Sequence, residues 1–320
     1  MLDYILPPPP NGALLDANQA RNPELIAAAD RTARYWSFPV AGPIAIGSAA
    51  HRCAVCRMFQ ETFNPYKPTI IDWPVLEGEA RARLTSLPIW DIAVQTEGKA
   101  RQRMMAFANN ERDPEWRQAI AQNGWEEGRH RLVLSNLVEA YGIELAPEPN
   151  YETPRDPEWA YMVAGYSECI DSFFAFGLFE TARRSGFFPP ELVDTFETMM
   201  QEECRHILLF ANWVAWRRRQ LSLLGRVWFE LRVAAVWMLL GLERLSIARG
   251  LGDRAQDHHF TVTGSKSVSN KDISVADFMG LCLAENDRRF SGYDTRLLRP
   301  ATMPRLVRLA LRVMGRRRRG

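Results

Sequence analysis

Glu-Glu-x-Arg-His occurs twice in this 320-residue chain, as Glu126-Glu127-Gly128-Arg129-His130 and as Glu202-Glu203-Cys204-Arg205-His206. The likeness continues downstream, where Leu132, Asn136 and Val138 are matched by Leu208, Asn212 and Val214. Each copy contains Glu-x-x-His, a spacing that on a helix sets a carboxylate and an imidazole one turn apart on one face. The chain has only five histidines, and two of them hold matching places in the repeat. Two such helices face to face can bind two metal ions between them.

The rest of the pattern predicts where those helices begin and end. Residues 1–76 are rich in Pro and Gly and read as an N-terminal arm, with one helix near Ile46–Gln60. Helical periodicity dominates from Leu76. A first long helix runs from Glu77 or Pro88 to Asn109, and a second from Pro114 to Tyr141. The turn between them ends in Pro114, which suits the first turn of a helix. Several prolines in Ala146–Asp156 mark a long crossover. A third helix then spans Pro157–Arg184, and a fourth Pro189–Gln220. Beyond them follow an apolar helix (Leu223–Arg249), a polar loop (Gly250–Asp272), a helix over Val275–Leu298 and a basic helix over Pro304–Arg318. No strand pattern of useful length occurs. The expected class is all-α: a four-helix unit over 77–222, the arm before it, and a helical extension over 223–320.

Hairpin geometry locates partners for the two motifs. The first turn centres near residue 112, so Glu127 is mirrored by Glu97, level with it along the axis at ~1.5 Å rise per residue. Gly98 beside Glu97 leaves the site little crowded. The second turn centres near residue 187, and the mirror of Glu203 falls between Glu168 and Asp171. Glu168 is preferred, because Ser167-Glu168 echoes Thr96-Glu97 and glutamate reaches further. Asp171 then becomes a supporting group, a candidate to hydrogen-bond a ligand imidazole and fix its tautomer. Glu180 lies about 12 Å out of level at helical rise. The expected ligands are Glu97, Glu127, His130, Glu168, Glu203 and His206. Glu126 and Glu202 read as exposed or salt-bridged groups, and Arg129 and Arg205 as surface or inter-helix pairs.

Glu, then Glu-x-x-His, then Glu, then Glu-x-x-His, on two hairpins joined by a crossover, resembles the ferritin-like di-iron carboxylate superfamily over residues 88–220. The resemblance implies two iron ions, with Mn or mixed Mn/Fe also compatible with carboxylate and imidazole donors. In that superfamily the reduced site binds and splits O2. One branch hydroxylates or desaturates organic substrates, another oxidises and stores iron, and a third destroys peroxide. Ribonucleotide reductase small subunits usually carry a radical tyrosine where this chain has Leu134. Rubrerythrin-type peroxidases have two Cys-x-x-Cys pairs, and here only Cys53 and Cys56 form one. Ferritins lack so long an arm and extension. Leu134, Leu137 and Tyr141 on the second helix, with Phe210 and Trp213 on the fourth, suggest an apolar pocket beside the metals. The expectation is an O2-dependent di-iron oxygenase or oxidase, monooxygenase-like, acting on a hydrophobic small molecule and supplied by an electron-donating reductase. Two alternatives stand beside it: a ferroxidase, peroxidase or manganese-catalase-like enzyme, and a non-enzymatic protein that binds a membrane or partner.

Composition narrows the setting. A net charge of +2 gives no electrostatic reason to expect nucleic acid. Five scattered cysteines do not make a disulfide framework and fit a reducing cytoplasm. The start of the chain, with Asp3 and the run Pro7–Pro10, lacks the pattern of a signal peptide. The most apolar run, Val233–Leu242, is far shorter than the ~20 residues that span a bilayer. His51, Cys53 and Cys56 cannot complete a four-ligand zinc site and read as helix packing. His258 and His259 read as solvated, and Cys169 and Cys204 take no redox role. Arg305, Arg308, Arg312 and Arg316 form one stripe, read as opposite Leu306, Leu309 and Val313. That pattern fits an interfacial helix drawn to an anionic membrane surface, on the inner face for a cytoplasmic protein. It fits equally a docked helix with a solvated basic tail.

Overall fold

A computed structural model describes residues 23–248, 268–269 and 273–317, and among them every regular element is helical. His258, His259, most of the predicted polar loop and the terminal residues 318–320 lie outside the described residues. In chain order the α-helices are α1 (Pro23–Tyr35), α2 (Ala49–Glu61), α3 (Gly78–Thr85), α4 (Trp90–Ala108), α5 (Pro114–Tyr141) and α6 (Pro157–Ser185). They continue with α7 (Pro190–Thr195), α8 (Glu197–Gln220), α9 (Leu223–Ala248), α10 (Val275–Arg289) and α11 (Thr302–Arg317).

The two longest helices carry the same punctuation. Asp113 accepts hydrogen bonds from the amides of Glu115 and Trp116, Pro114 fills the first turn, and Gly142 ends α5 in the left-handed region at φ 67°. Asp156, Pro157 and Gly186 (φ 65°) do the same for α6. Other boundaries differ from the sequence expectation. Pro88 lies in a break between α3 and α4, so the first long helix takes the later of its two predicted starts. The predicted fourth helix is split at Phe196 into α7 and α8. The helix predicted to reach Leu298 stops at Arg289, and α1 has no counterpart in the prediction.

Helices α4, α5, α6 and α8 pack side by side: α4 against α5 and α6, and α8 against the same two. Their directions follow from contacts along their lengths. Asp91 accepts from the Ala146 amide, the ring of Tyr151 covers Gly98, and Gln102 reaches Thr153. The crossover therefore climbs α4 from its start to its end before α6 returns. Phe107 stacks on Tyr161, and Trp116 packs on Trp216, so α6 runs antiparallel to α4 and α8 antiparallel to α5. A Cβ at position 98 would lie 2.7 Å from the Tyr151 ring. The space Gly98 leaves thus belongs to the crossover and not to the carboxylate beside it.

The arm and the extension join the same apolar core, which runs from Ala33 to Val307. Asp294 ties the two ends together. It accepts from the Phe38 amide at 3.0 Å, and it holds Arg296, which in turn donates to the carbonyl of Phe38 at 2.8 Å. The Arg296 guanidinium, by its hydrogen bond to Asp294, holds that carboxyl well below the usual carboxylate range against the opposing effect of burial. A group with a depressed folded-state pKa contributes stability that is complete above its unfolded value and fades as pH falls toward the folded one. We therefore expect Asp294→Asn to destabilise the protein by about 1.5–3 kcal/mol at pH 7. The difference from wild type should shrink below about pH 4, as urea titrations across pH would measure.

Candidate metal centre

Both motifs lie in mid-helix, one on α5 and one on α8, where antiparallel packing turns them toward each other. Each copy completes the other. His130 shares its Nε2 with Glu202 of the opposite copy at 2.8 Å, and His206 shares its Nε2 with Glu126 at 2.8 Å. The arginines cross in the same way: Arg129 pairs with Glu202, and Arg205 with Glu126. Glu126, Arg129 and His130 are fully buried, and Glu202 and Arg205 nearly so.

The arm closes this network. Residues 59–66 supply the carbonyls of Phe59, Asn64 and Tyr66 as acceptors for the two guanidiniums. The Tyr66 hydroxyl donates to Glu202 at 2.9 Å, and its ring lies 3.8 Å from the centre of Arg129. Buried charge is tolerable only with this degree of pairing and hydrogen bonding.

An imidazole whose Nε2 donates to a carboxylate can present the Nδ1 lone pair to the other side. His206 Nδ1 lies 2.9 Å from Glu127 Oε1, and His130 Nδ1 lies 3.2 Å from Glu203 Oε1. Neither Nδ1 makes a hydrogen bond. One ligand atom from each of Glu127, His130, Glu203 and His206 falls within 4.8 Å of the others. Orphaned nitrogens aimed at carboxylates, in a buried place, fit a cation between them, and this group can hold a metal ion.

The two mirror glutamates stand at the edge of this group. Glu97 Oε2 lies 3.9 Å from His130 Nδ1. Glu168 has neither carboxylate oxygen hydrogen-bonded, and it lines one cavity together with Glu97, Glu127 and Glu203. Burial and the neighbouring carboxylates push Glu97 and Glu168 well above the ordinary range. Burial opposes charge on the two histidines, yet their hydrogen bonds and the surrounding glutamates drive both well upward. Glu126 is also buried, but Arg205 and His206 hold it well below its usual value. These shifts follow from crowding carboxylates in a buried place, a charge that a bound cation would offset.

The cavity measures about 350 Å³. Its walls are mostly apolar and come from α3 to α8, with Trp90, Leu178, Phe196 and Met199 among them. Lys99 and Arg103, one turn apart on α4, are its basic side chains. Of the residues expected to form such a wall, only Leu134 does. Leu137 and Trp213 are buried in the core, Phe210 lines a different cavity, and the Tyr141 hydroxyl donates to the Pro74 carbonyl.

Two other expectations need correction. Asp171 accepts from Arg244 at 2.7 Å and from Ser167 at 2.8 Å, and no imidazole reaches it. The position it was expected to fill belongs to Glu126 and Glu202, for which the salt-bridged reading holds and the exposed one does not. The signal for them was in the repeat: both copies keep the first Glu and the Arg as well as the Glu-x-x-His. The arm's contribution through Phe59, Asn64 and Tyr66 has no such signal. His51, Cys53 and Cys56 behave as expected, with His51 buried against Asn212 at 3.0 Å and every cysteine free.

Comparison with protein-family models, with curated proteins and with solved structures finds no match to this chain. The crossed network makes its own prediction. Glu202→Gln keeps a hydrogen-bond acceptor for His130, and should weaken metal binding about 10–100-fold, read by competition with a chelator. Glu202→Ala leaves Arg129 buried without its carboxylate and should cost about 3–5 kcal/mol of stability.

Proposed function

We propose that this chain is a di-metal carboxylate oxidoreductase with a ferritin-like four-helix core, using O2 on a hydrophobic organic substrate. The observation that carries this reading is the pair of unpartnered Nδ1 atoms turned in among Glu127 and Glu203, with Glu97 and Glu168 beside them at the end of an apolar cavity. Six ligands from four helices, with one Glu-x-x-His on each of two, suit two ions. Bound there, a pair of iron ions, or Mn in one or both places, would supply the electrons that reduce O2, with a separate reductase restoring them.

The protein's own part is positional. Glu126 and Glu202 hold the rings so that Nδ1 faces the centre, and Arg205 and Arg129 pair with those two glutamates. Glu168, with no hydrogen bond to restrain it, is the carboxylate freest to change its binding. The walls around Trp90, Leu178 and Phe196 exclude water and select an apolar substrate. Lys99 and Arg103 favour one with an anionic end.

A peroxidase, ferroxidase or catalase-like activity would use the same ligands but would leave the cavity without a purpose. Metal analysis followed by anaerobic Fe(II) loading and O2 exposure tests the reading. We expect about two ions per chain, a raised melting temperature and new absorption on oxidation. Glu127→Ala and His206→Ala should each lose stoichiometric binding. An absence of metal, with melting unchanged by chelators, would favour a binding protein instead.

The cavity gives a separate test. Ala175→Trp should fill it, leaving the metal count unchanged while turnover of an organic substrate is lost. Peroxide turnover that needs no organic substrate, and survives this change, would favour the alternative.

A further inference from the structure

Helix α9 has two apolar faces, and only one of them is covered. Phe229, Val233, Val236 and Leu240 are buried against the helices beneath. Arg232 to Asp156, and Arg244 to Asp171, fix its orientation. On the opposite face Leu224, Val227, Trp228, Leu231, Met238 and Leu242 are exposed by 57–85%. At 100° per residue these side chains form one stripe along α9, about 27 Å long, with no charged residue inside it. A continuous apolar stripe of this length is unusual on a monomer's surface and marks an interaction face.

Helix α11 repeats the arrangement with charge added. Val307 is buried, while Leu306, Leu309 and Val313 are exposed. Arg305, Arg308 and Arg312 run immediately beside that row, where the sequence reading had them opposite. Residues 302–317 contain five arginines and no acid. The two helices border one cavity of about 500 Å³, with Val233 and Trp237 of α9 facing Met303 and Arg305 of α11. Both therefore lie on the same side of α6 and α8.

We propose that α9 and α11 form a docking face for an anionic lipid bilayer, on which the protein lies without crossing. None of the described helices is long and apolar enough to span a membrane. Apolar rows enter the acyl boundary, Trp228 sits at the headgroup level, and the α11 arginines meet lipid phosphates. A second copy of the chain packed on this face would set the arginines of α11 against arginines, with no acid in that helix to meet them. An anionic bilayer supplies both an apolar phase and negative charge. This inference does not depend on the metal centre.

Co-sedimentation of the full chain with phosphatidylcholine vesicles, with and without phosphatidylserine, tests it. We expect binding to the anionic vesicles that weakens with salt. Leu231→Glu with Met238→Glu, at solvent-facing positions, should cut binding at least about tenfold while circular dichroism and melting stay as in wild type. Arg305→Glu with Arg312→Glu should do the same. The proposal fails if wild type ignores anionic vesicles at low salt, or if the folded Glu variants bind as wild type does. It fails equally if light scattering finds a dimer that Leu231→Glu with Met238→Glu dissociates, without vesicle binding.

Discussion

Everything at the centre of this molecule depends on the exchange of carboxylates between α5 and α8. A guanidinium, a carboxylate and an imidazole are buried together twice, each time with members from both helices. Ionised groups are costly to desolvate, and each copy alone would place an unpaired arginine in the core. Only the crossed register pairs them all. The network consequently specifies how α5 and α8 meet more sharply than apolar packing would, because sliding one helix by a turn strands charges instead of merely exchanging leucines. That same register turns both Nδ1 atoms to a common point.

The helices around this pair are set by close approach. Gly165 lets α6 lie against the Phe210 ring of α8, where a Cβ would come within 2.2 Å. Gly177 does the same for α10 at Cys282. With α6 drawn onto α8, Glu168 reaches the cavity shared with Glu203, and Ser172 donates to Glu203 at 3.4 Å. Burial leaves the Glu168 oxygens without hydrogen bonds.

Much of this was legible in the sequence because two periodicities coincide there. Helix spacing selects Glu127, His130, Glu203 and His206, and hairpin symmetry selects Glu97 and Glu168, without reference to any tertiary contact. Pro114, the prolines of the crossover before Pro157 and the turn before Pro189 gave α5 and α6 almost to the residue. What failed was long-range. Glu126 and Glu202 were read by their position on their own helix, and a helix says nothing about what stands across from it. Asp171 was given a role by proximity, when Arg244, 73 residues on, was its partner. The cavity walls were sought on the motif-bearing faces, but come mainly from α3, α4, α6 and α7.

Helix α6 borders both cavities. Glu168, Ser172 and Ala175 look into the cavity of the metal centre, while Tyr166, Phe173 and Phe176 line the cavity bordered by α9 and α11. Asp171 couples these sides. Its carboxylate holds Arg244 of α9, and its own position is one turn from Glu168. The salt bridge to Arg244 thus fixes how α9 lies on α6, one turn from the carboxylate that enters the cavity.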